Sequence, residues 1–147
     1  MRLSQRFLLF LLSALAPLVA AAQYRMMPAM PAPEREVRAV WLTTLMGLDW
    51  PRTKANSDER RQRQKDELLR TLDALQQAGI NTVMLQTRVR STTIYPSALE
   101  PWDECLSGTY GRSPGYDAMA FAIEACHVRG MQVHAWVVAF PICSVAQ

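Results

Sequence analysis

Two pairs of residues in the sequence have side chains and a spacing that could form a binding site. Gln86 and Arg88 are two positions apart, as are His134 and Trp136. On a β-strand such residues project from the same face, where buried polar groups need hydrogen-bonding partners or a ligand. The pattern indicates a cleft. It leaves open an internal network in which Gln86 and Arg88 satisfy each other and the loop, and for His134 alone it favours a hydrogen-bonded core histidine.

Trp102 is a third candidate for binding, in a segment that also contains Glu100 and Asp103. A tryptophan ring has an apolar face that can stack on the C–H groups of a sugar, while neighbouring acids accept hydroxyl hydrogens. The same ring could instead plug the mouth of a barrel. The sequence leaves both interpretations open.

Cleavage of a glycosidic bond generally requires two carboxyl groups, one as acid and one as base or nucleophile. The acids that could lie near such a cleft all fall in loops, where sequence indicates no rigid support: Asp49, Glu100, Asp103 and Glu104. No nucleophile elbow or metal triad is present. We therefore assign no catalytic residue from the sequence.

The three cysteines do not form a recognisable framework. Cys105, Cys126 and Cys143 are odd in number and irregularly spaced, so one disulfide could form in an oxidising compartment but its pair stays open. Together with His127 and His134, their spacing fits no standard zinc pattern. We expect buried or surface thiols, no metal and no cofactor.

Strand-like and helix-like segments alternate along the chain, with the candidate residues near the ends of strands. Hydrophobic patterns and capping residues predict a strand at 38–44, a helix at 58–78, a strand at 80–88, a long loop at 89–116, a helix at 118–129 and a strand at 131–140. Single glycines join each helix to the next strand. This alternation predicts an α/β fold with a parallel sheet, either doubly wound or a barrel. No G-x-G-x-x-G follows the first strand, which weighs against dinucleotide binding.

The N-terminal segment predicts export. Arg2 and Arg6 precede an apolar run that ends in three alanines, as in a signal peptide over residues 1–22, and a Pro-rich lead-in follows at 23–35. The run is shorter than the roughly 20 residues of a transmembrane helix, so we expect a secreted or periplasmic protein without a membrane anchor. The net charge of +3 falls to +1 without the two arginines, and no basic cluster indicates nucleic acid.

Four ordered segments carry a resemblance to a known family. They are 37–44 (VRAVWLTT) with 48–51 (LDWP), 79–83 (GINTV) leading into 86–88 (QTR), 95–102 (YPSALEPW) and 127–136 (HVRGMQVHAW). In this order and spacing, over residues 36–141, they resemble the start of the glycosyl-hydrolase-like 10 family. The resemblance implies a TIM-type (β/α)8 barrel, a bacterial secreted protein, and hydrolysis of polysaccharide or cell-wall glycan.

The resemblance also implies roles for particular residues. Those expected to line the carbohydrate cleft are Gln86, Arg88, Trp102, His134 and Trp136. The catalytic acids of such a protein are expected on later strands, beyond residue 141.

The chain departs from the family in length. A TIM barrel has eight strands and about 250 residues, whereas the sequence predicts three strands before the tail at 142–147. We expect residues 36–141 to be a partial barrel that is inactive by itself. The alternatives are a non-catalytic glycan-binding module, or a barrel completed by a separate C-terminal fragment.

Overall fold

The computed structural model describes residues 36–140. The expected signal peptide (1–22), the lead-in (23–35) and the tail (142–147) lie outside the described residues. The elements, in chain order, are β1 (Ala39–Leu42), a 3-10 turn (Leu45–Gly47), α1 (Asp58–Gln77), β2 (Thr82–Val89), β3 (Thr92–Thr93), α2 (Glu104–Ser107), α3 (Ala118–His127) and β4 (Gln132–Val137).

Helix α1 begins and ends where its sequence predicts. The Ser57 side chain accepts a hydrogen bond from the N–H of Arg60 (3.3 Å), and Asp58 and Glu59 place negative charge on the first turn. The apolar stripe buries Leu68 and Leu72 against the sheet. One polar residue, Gln64, is also buried on this helix, although the sequence pattern did not distinguish it from the solvated face.

Both glycines predicted to end the helices have the expected left-handed conformation. Gly79 has φ +77° and Gly130 has φ +71°. In each case the glycine N–H donates to the carbonyl three residues earlier (2.9 Å), and the next N–H donates to the carbonyl five residues earlier (3.0 Å). This is the Schellman arrangement, which satisfies the last helical carbonyls. It ends α3 at His127, two residues before the predicted end at Arg129.

The region predicted as one long loop contains two further elements. Arg90 and Ser91 both have positive φ (53° and 58°) and form a tight turn that pairs β3 antiparallel to the end of β2. Sequence reasoning missed this hairpin because its turn residues are not the Asn-Gly or Asp-Gly that such turns favour. The short helix α2 follows, capped by Asp103, whose carboxylate accepts from the N–H of Cys105 (2.7 Å).

Strand β2 lies at the centre of the sheet. β1 and β4 flank it in parallel, so that Ala39 and Gln132 both lie beside Thr82. The three parallel strands are therefore arranged in chain order, with the carboxyl ends at one edge. β1 and β4 are shorter than predicted, since residues at both ends of the predicted segments belong to the connecting turns.

One face of the sheet carries the hydrophobic core. Helices α1 and α3 contact each other and pack on this same face, where the buried side chains of strands and helices include Leu42, Val83, Leu85, Leu68, Leu72 and Ala122. The fold is mixed α/β, as predicted, and the short β3 makes the sheet four-stranded where three strands were expected. Three parallel strands lie within residues 36–140, whereas a TIM barrel closes with eight.

Within residues 36–140, every helix is either too short or too polar to span a membrane.

Truncation of a core leucine tests this packing. Leu72 is fully buried (0% exposed) between α1 and the sheet. Leu72→Ala should lower the free energy of unfolding by about 2–5 kcal/mol, because it removes buried methyl groups and leaves a cavity. Urea denaturation measures the change. Leu99→Ala is the matched control, since Leu99 is 94% exposed, and an equal loss in both variants would contradict this description of the core.

Candidate functional site

The Gln86 side chain connects β2 to the turn that leaves β1. It is buried (2% exposed). Its carbonyl oxygen, Oε1, accepts hydrogen bonds from the Thr43 hydroxyl (2.7 Å) and from the N–H groups of Thr44 and Leu45 (both 3.0 Å). Three donors on one amide oxygen fix the β1 turn at the carboxyl edge of the sheet.

The same turn engages one of the four candidate acids. The Asp49 carboxylate accepts from the N–H of Thr43 (2.9 Å). Met46 lies between Thr43 and Asp49 in the chain and has φ +56°, an uncommon conformation for a residue with a side chain. Its side chain is 76% exposed. The turn is therefore a fixed structure that presents an apolar side chain to solvent.

Arg88 joins three segments at this edge. Its Nε donates to both carboxylate oxygens of Glu100 (2.9 and 2.8 Å), and its Nη1 donates to the carbonyls of Val138 (2.5 Å) and Ala139 (3.1 Å). The hydrogen bond from Arg88, aided by its charge and opposed by desolvation, lowers the pKa of the Glu100 carboxyl. The same hydrogen bond raises the pKa of Arg88. Arg88 thus holds together the end of β2, the residues that follow β4, and the loop after β3 that contains Glu100.

Gln86 and Arg88 have separate partners. Gln86 lies beside Trp136 of β4 and Arg88 beside Val137, with a register irregularity between them. Both side chains thus form internal hydrogen bonds, but not with each other as that alternative supposed: Gln86 bonds to the β1 turn, whereas Arg88 bonds to Glu100 and to the segment after β4.

Trp102 is half-buried in a loop that returns to the sheet. Its backbone pairs with Thr93, because the Thr93 N–H donates to the Pro101 carbonyl (3.0 Å) and the Asp103 N–H donates to the Thr93 carbonyl (2.9 Å). The ring packs against the hydrophobic core. The backbone on either side of Trp102 is therefore tied to the sheet, which is support that the sequence did not indicate.

Three of the four candidate acids serve internal hydrogen bonds. Asp49 holds the β1 turn and Glu100 pairs with Arg88. Asp103 caps α2 and also accepts from the Thr92 hydroxyl. Glu104 is exposed. Nothing in these contacts identifies a pair of carboxylates placed for glycosidic cleavage.

His134 and Trp136 lie on the sheet face opposite the helices. His134 is exposed and lies beside Met84 of β2, so it is not the core histidine that its pattern favoured. Trp136 is half-buried, and its ring stands edge-to-face against Trp41 of β1, with centroids 5.0 Å apart and planes at 87°. This is a favourable aromatic geometry.

Trp41 is a candidate that sequence reasoning missed. It lies in the apolar segment 38–44 that was predicted as a strand of a parallel sheet, and it is 61% exposed. The sequence did contain a signal for this exposure. Side chains alternate between the two faces of a strand, and the neighbours Val40 and Leu42 pack into the core. We call Trp41, Met84, His134 and Trp136 the aromatic face.

A cavity of about 560 Å³ opens at the same edge of the sheet and contains none of the five predicted residues. Its walls come from the β1 turn, the β2–β3 turn and the segment around α2, and they include Met46, Lys54, Arg90, Glu104 and Tyr110. Its volume is typical of small-molecule sites. Sequence could not indicate it, because it depends on the positive-φ turns.

Buried Gln64 supports one wall of this cavity. Its Nε2 donates to the carbonyls of Thr53 (2.6 Å) and Leu106 (2.9 Å), and its Oε1 accepts from the Tyr116 hydroxyl (2.6 Å). Helix α1 therefore fixes the loop after β1 relative to α2.

Cys105 and Cys126 are buried free thiols. Burial raises the pKa of both, that of Cys126 to about 11, so neither is a nucleophile at neutral pH. Cys143 lies outside the described residues. Among residues 36–140 no group of His, Cys, Asp and Glu is arranged to hold a metal ion.

Loss of the Gln86 acceptor should destabilise the protein. Gln86→Leu leaves the N–H groups of Thr44 and Leu45 without their partner, which should cost about 2–4 kcal/mol in unfolding free energy. Gln86→Glu retains an acceptor and should cost less. Urea denaturation distinguishes them, with exposed Gln77→Leu as control; equal effects of Gln86→Leu and Gln77→Leu would show that the contact is dispensable.

The Arg88–Glu100 pair predicts a pH dependence. Because the Glu100 pKa is lowered below its usual value of 4.5, the pair stabilises the fold above that value and loses its effect as pH falls through the lowered pKa. Carbon-detected NMR titration should place the Glu100 midpoint below 4.5, and Arg88→Met should move it upward. An unchanged midpoint in Arg88→Met would refute this assignment.

Comparison with known proteins agrees with the resemblance in the sequence. Residues 36–146 match the Glycosyl hydrolase-like 10 family. The chain is 43% identical over 103 residues to Glycosyl hydrolase YngK of Bacillus subtilis strain 168, which covers 70% of this chain and 20% of that protein. It is 39% identical over 104 residues to Glycosyl hydrolase DigH of Escherichia coli strain K12, covering 68% and 24%. The chain thus spans about a quarter or less of these relatives' length, and it belongs to the glycosyl hydrolase-like 10 family.

Proposed function

We propose that this chain is the N-terminal part of a secreted glycoside hydrolase that acts on polysaccharide or cell-wall glycan, and that it supplies part of the glycan cleft. The observation that carries the proposal is the aromatic face, where the ring centroids of the exposed Trp41 and the half-buried Trp136 are 5.0 Å apart. Membership of a family whose relatives are named glycosyl hydrolases supports the same reaction class.

The barrel is the architecture that best explains the one-sided packing. In a doubly wound sheet, helices cover both faces, whereas in a TIM barrel every helix lies outside and the inner face belongs to the barrel. Here α1 and α3 share one face, and the parallel strands follow chain order. The aromatic face would then line the barrel interior near the carboxyl ends of the strands, where TIM-barrel active sites form.

The outer edges of β1 and β4 are where the rest of the barrel would join. Among the described residues neither strand pairs with anything on its outer side. Unpaired edges bind further strands readily. We propose that later strands of the full-length protein, or a separate C-terminal fragment, occupy them.

The chemistry of the described residues suits binding more than cleavage. Tryptophan rings stack on sugar C–H faces, and the edge-to-face contact holds Trp136 in position for this. Hydrolysis requires a carboxylate pair, and Asp49, Glu100 and Asp103 are held in internal hydrogen bonds. The proposal therefore assigns the catalytic acids to later strands, and makes the fragment inactive by itself.

A non-catalytic glycan-binding module is the second candidate. The internal engagement of three acids favours it, because such a module needs aromatic platforms and no acid pair. Glycosidase turnover by the purified chain would contradict both the module and the inactivity of the fragment.

Glycan binding through the aromatic face is directly testable. Trp136→Ala should weaken retention on insoluble peptidoglycan or chitin by about fivefold, since a stacked ring contributes on the order of 1 kcal/mol. Val128→Ala is the control, because Val128 is 74% exposed at the end of α3. Retention that survives Trp136→Ala unchanged would remove the support for a cleft at this face.

Export is also proposed, through residues 1–22. A C-terminally tagged chain expressed in a Gram-negative host should appear in the periplasm or medium with Gln23 at its N-terminus. An intact N-terminus in the cytoplasm would contradict the proposal.

A further inference from the structure

The cavity beside α2 has a position that suits a ligand bound at the carboxyl edge of the sheet. The turn after β1 contributes Leu45 and Met46, and the turn after β2 contributes Arg90. These turns are anchored by the Gln86 hydrogen bonds and by the β2–β3 pairing. The walls therefore exist before a ligand arrives, which reduces the ordering cost of binding.

The polar groups of the cavity include a donor that has no partner among the described residues. Within residues 36–140 the half-buried Arg90 guanidinium makes no hydrogen bond or ion pair. The Lys54 ammonium donates one hydrogen bond to the Cys105 carbonyl (3.0 Å), which leaves two N–H groups for a ligand. The Asp103 carboxylate is occupied by Thr92 and the Cys105 N–H, whereas Glu104 is exposed.

The apolar groups of the cavity lie toward solvent. Tyr110 is 65% exposed and Met46 is 76% exposed, and both contribute to the lining. A sugar ring presents C–H faces to such surfaces and hydroxyl groups to donors and acceptors around its perimeter. The combination of Tyr110, Met46, Arg90 and Glu104 matches both requirements.

Backbone conformation gives an independent indication. Met46 (φ +56°) and Arg90 (φ +53°) are two of the three non-glycine residues with positive φ among the described residues, and both line the cavity. Such conformations cost free energy and concentrate at ligand sites, where the surrounding structure maintains them.

We infer that this cavity is an additional sugar subsite, which binds one ring of a glycan through Tyr110 and Arg90. The inference rests on the proposed function, since it takes the ligand to be the glycan that the aromatic face binds. Tyr110 supplies the stacking surface and Arg90 donates to ring hydroxyl groups.

Calorimetric titration of the full chain with chitotetraose and cellotetraose tests the subsite. Tyr110→Ala and Arg90→Asn should each weaken binding of the bound oligosaccharide by about tenfold. Asparagine is chosen because it tolerates positive φ better than most residues, and circular dichroism should show both variants folded. Arg112→Asn is the matched control, because Arg112 is exposed, lies in the loop that contains Tyr110 and does not itself line the cavity, and it should bind as the wild type does.

The outcomes separate the two proposals. Binding that is weakened by Trp136→Ala but unchanged by Tyr110→Ala and Arg90→Asn would overturn the subsite and leave the proposed function standing. A wild-type chain that binds neither oligosaccharide would overturn both. Equal weakening by Arg112→Asn would show a general charge effect and would also overturn the subsite.

Discussion

Burial of one sheet face by two helices is the constraint on which the other features depend. Leu68 and Leu72 of α1 and Ala122 of α3 cover Val83 and Leu85 of β2, so the alternate residues of the strands must project the other way. That projection places Trp41, Met84, His134 and Trp136 on a common surface. The exposed ring of Trp41 is therefore a consequence of core packing at its neighbours, Val40 and Leu42.

Two side chains then convert the carboxyl edge of the sheet into a fixed surface. Gln86 accepts three hydrogen bonds from the β1 turn, and Arg88 holds Glu100 and the end of β4. Each lies on the central strand and reaches to a different neighbour. Both were expected to line a cleft, which stays a prediction, and the geometry shows that they position the segments at this edge of the sheet. Loops on a rigid scaffold are the usual location of binding residues.

Sequence reasoning predicted the elements governed by local rules and missed those that depend on contacts between segments. The Ser57 cap, the leucine stripe of α1 and the glycines at 79 and 130 have local signatures, and each was found where expected. The Arg90–Ser91 turn has no such signature, so the hairpin, α2 and the cavity were missed. The burial of Gln64 was misjudged because it depends on contacts with the turn at 50–55. The exposure of Trp41 was misjudged because it follows from the packing of its strand neighbours into the core. The five predicted cleft residues remain predictions, and the family resemblance supplied information that patterns alone could not.

The central claim, that the face left open by the helices binds glycan, can be tested with the tryptophan indole signals in ¹H–¹⁵N spectra. Trp50 provides an internal reference, because it is 1% exposed and its Nε1 donates to the Gln64 carbonyl (2.9 Å). On titration with chitotetraose or cellotetraose, the account predicts that the Trp41 and Trp136 signals shift with saturation while the Trp50 signal stays in place. Saturable binding that leaves the Trp41 and Trp136 signals unmoved would contradict it.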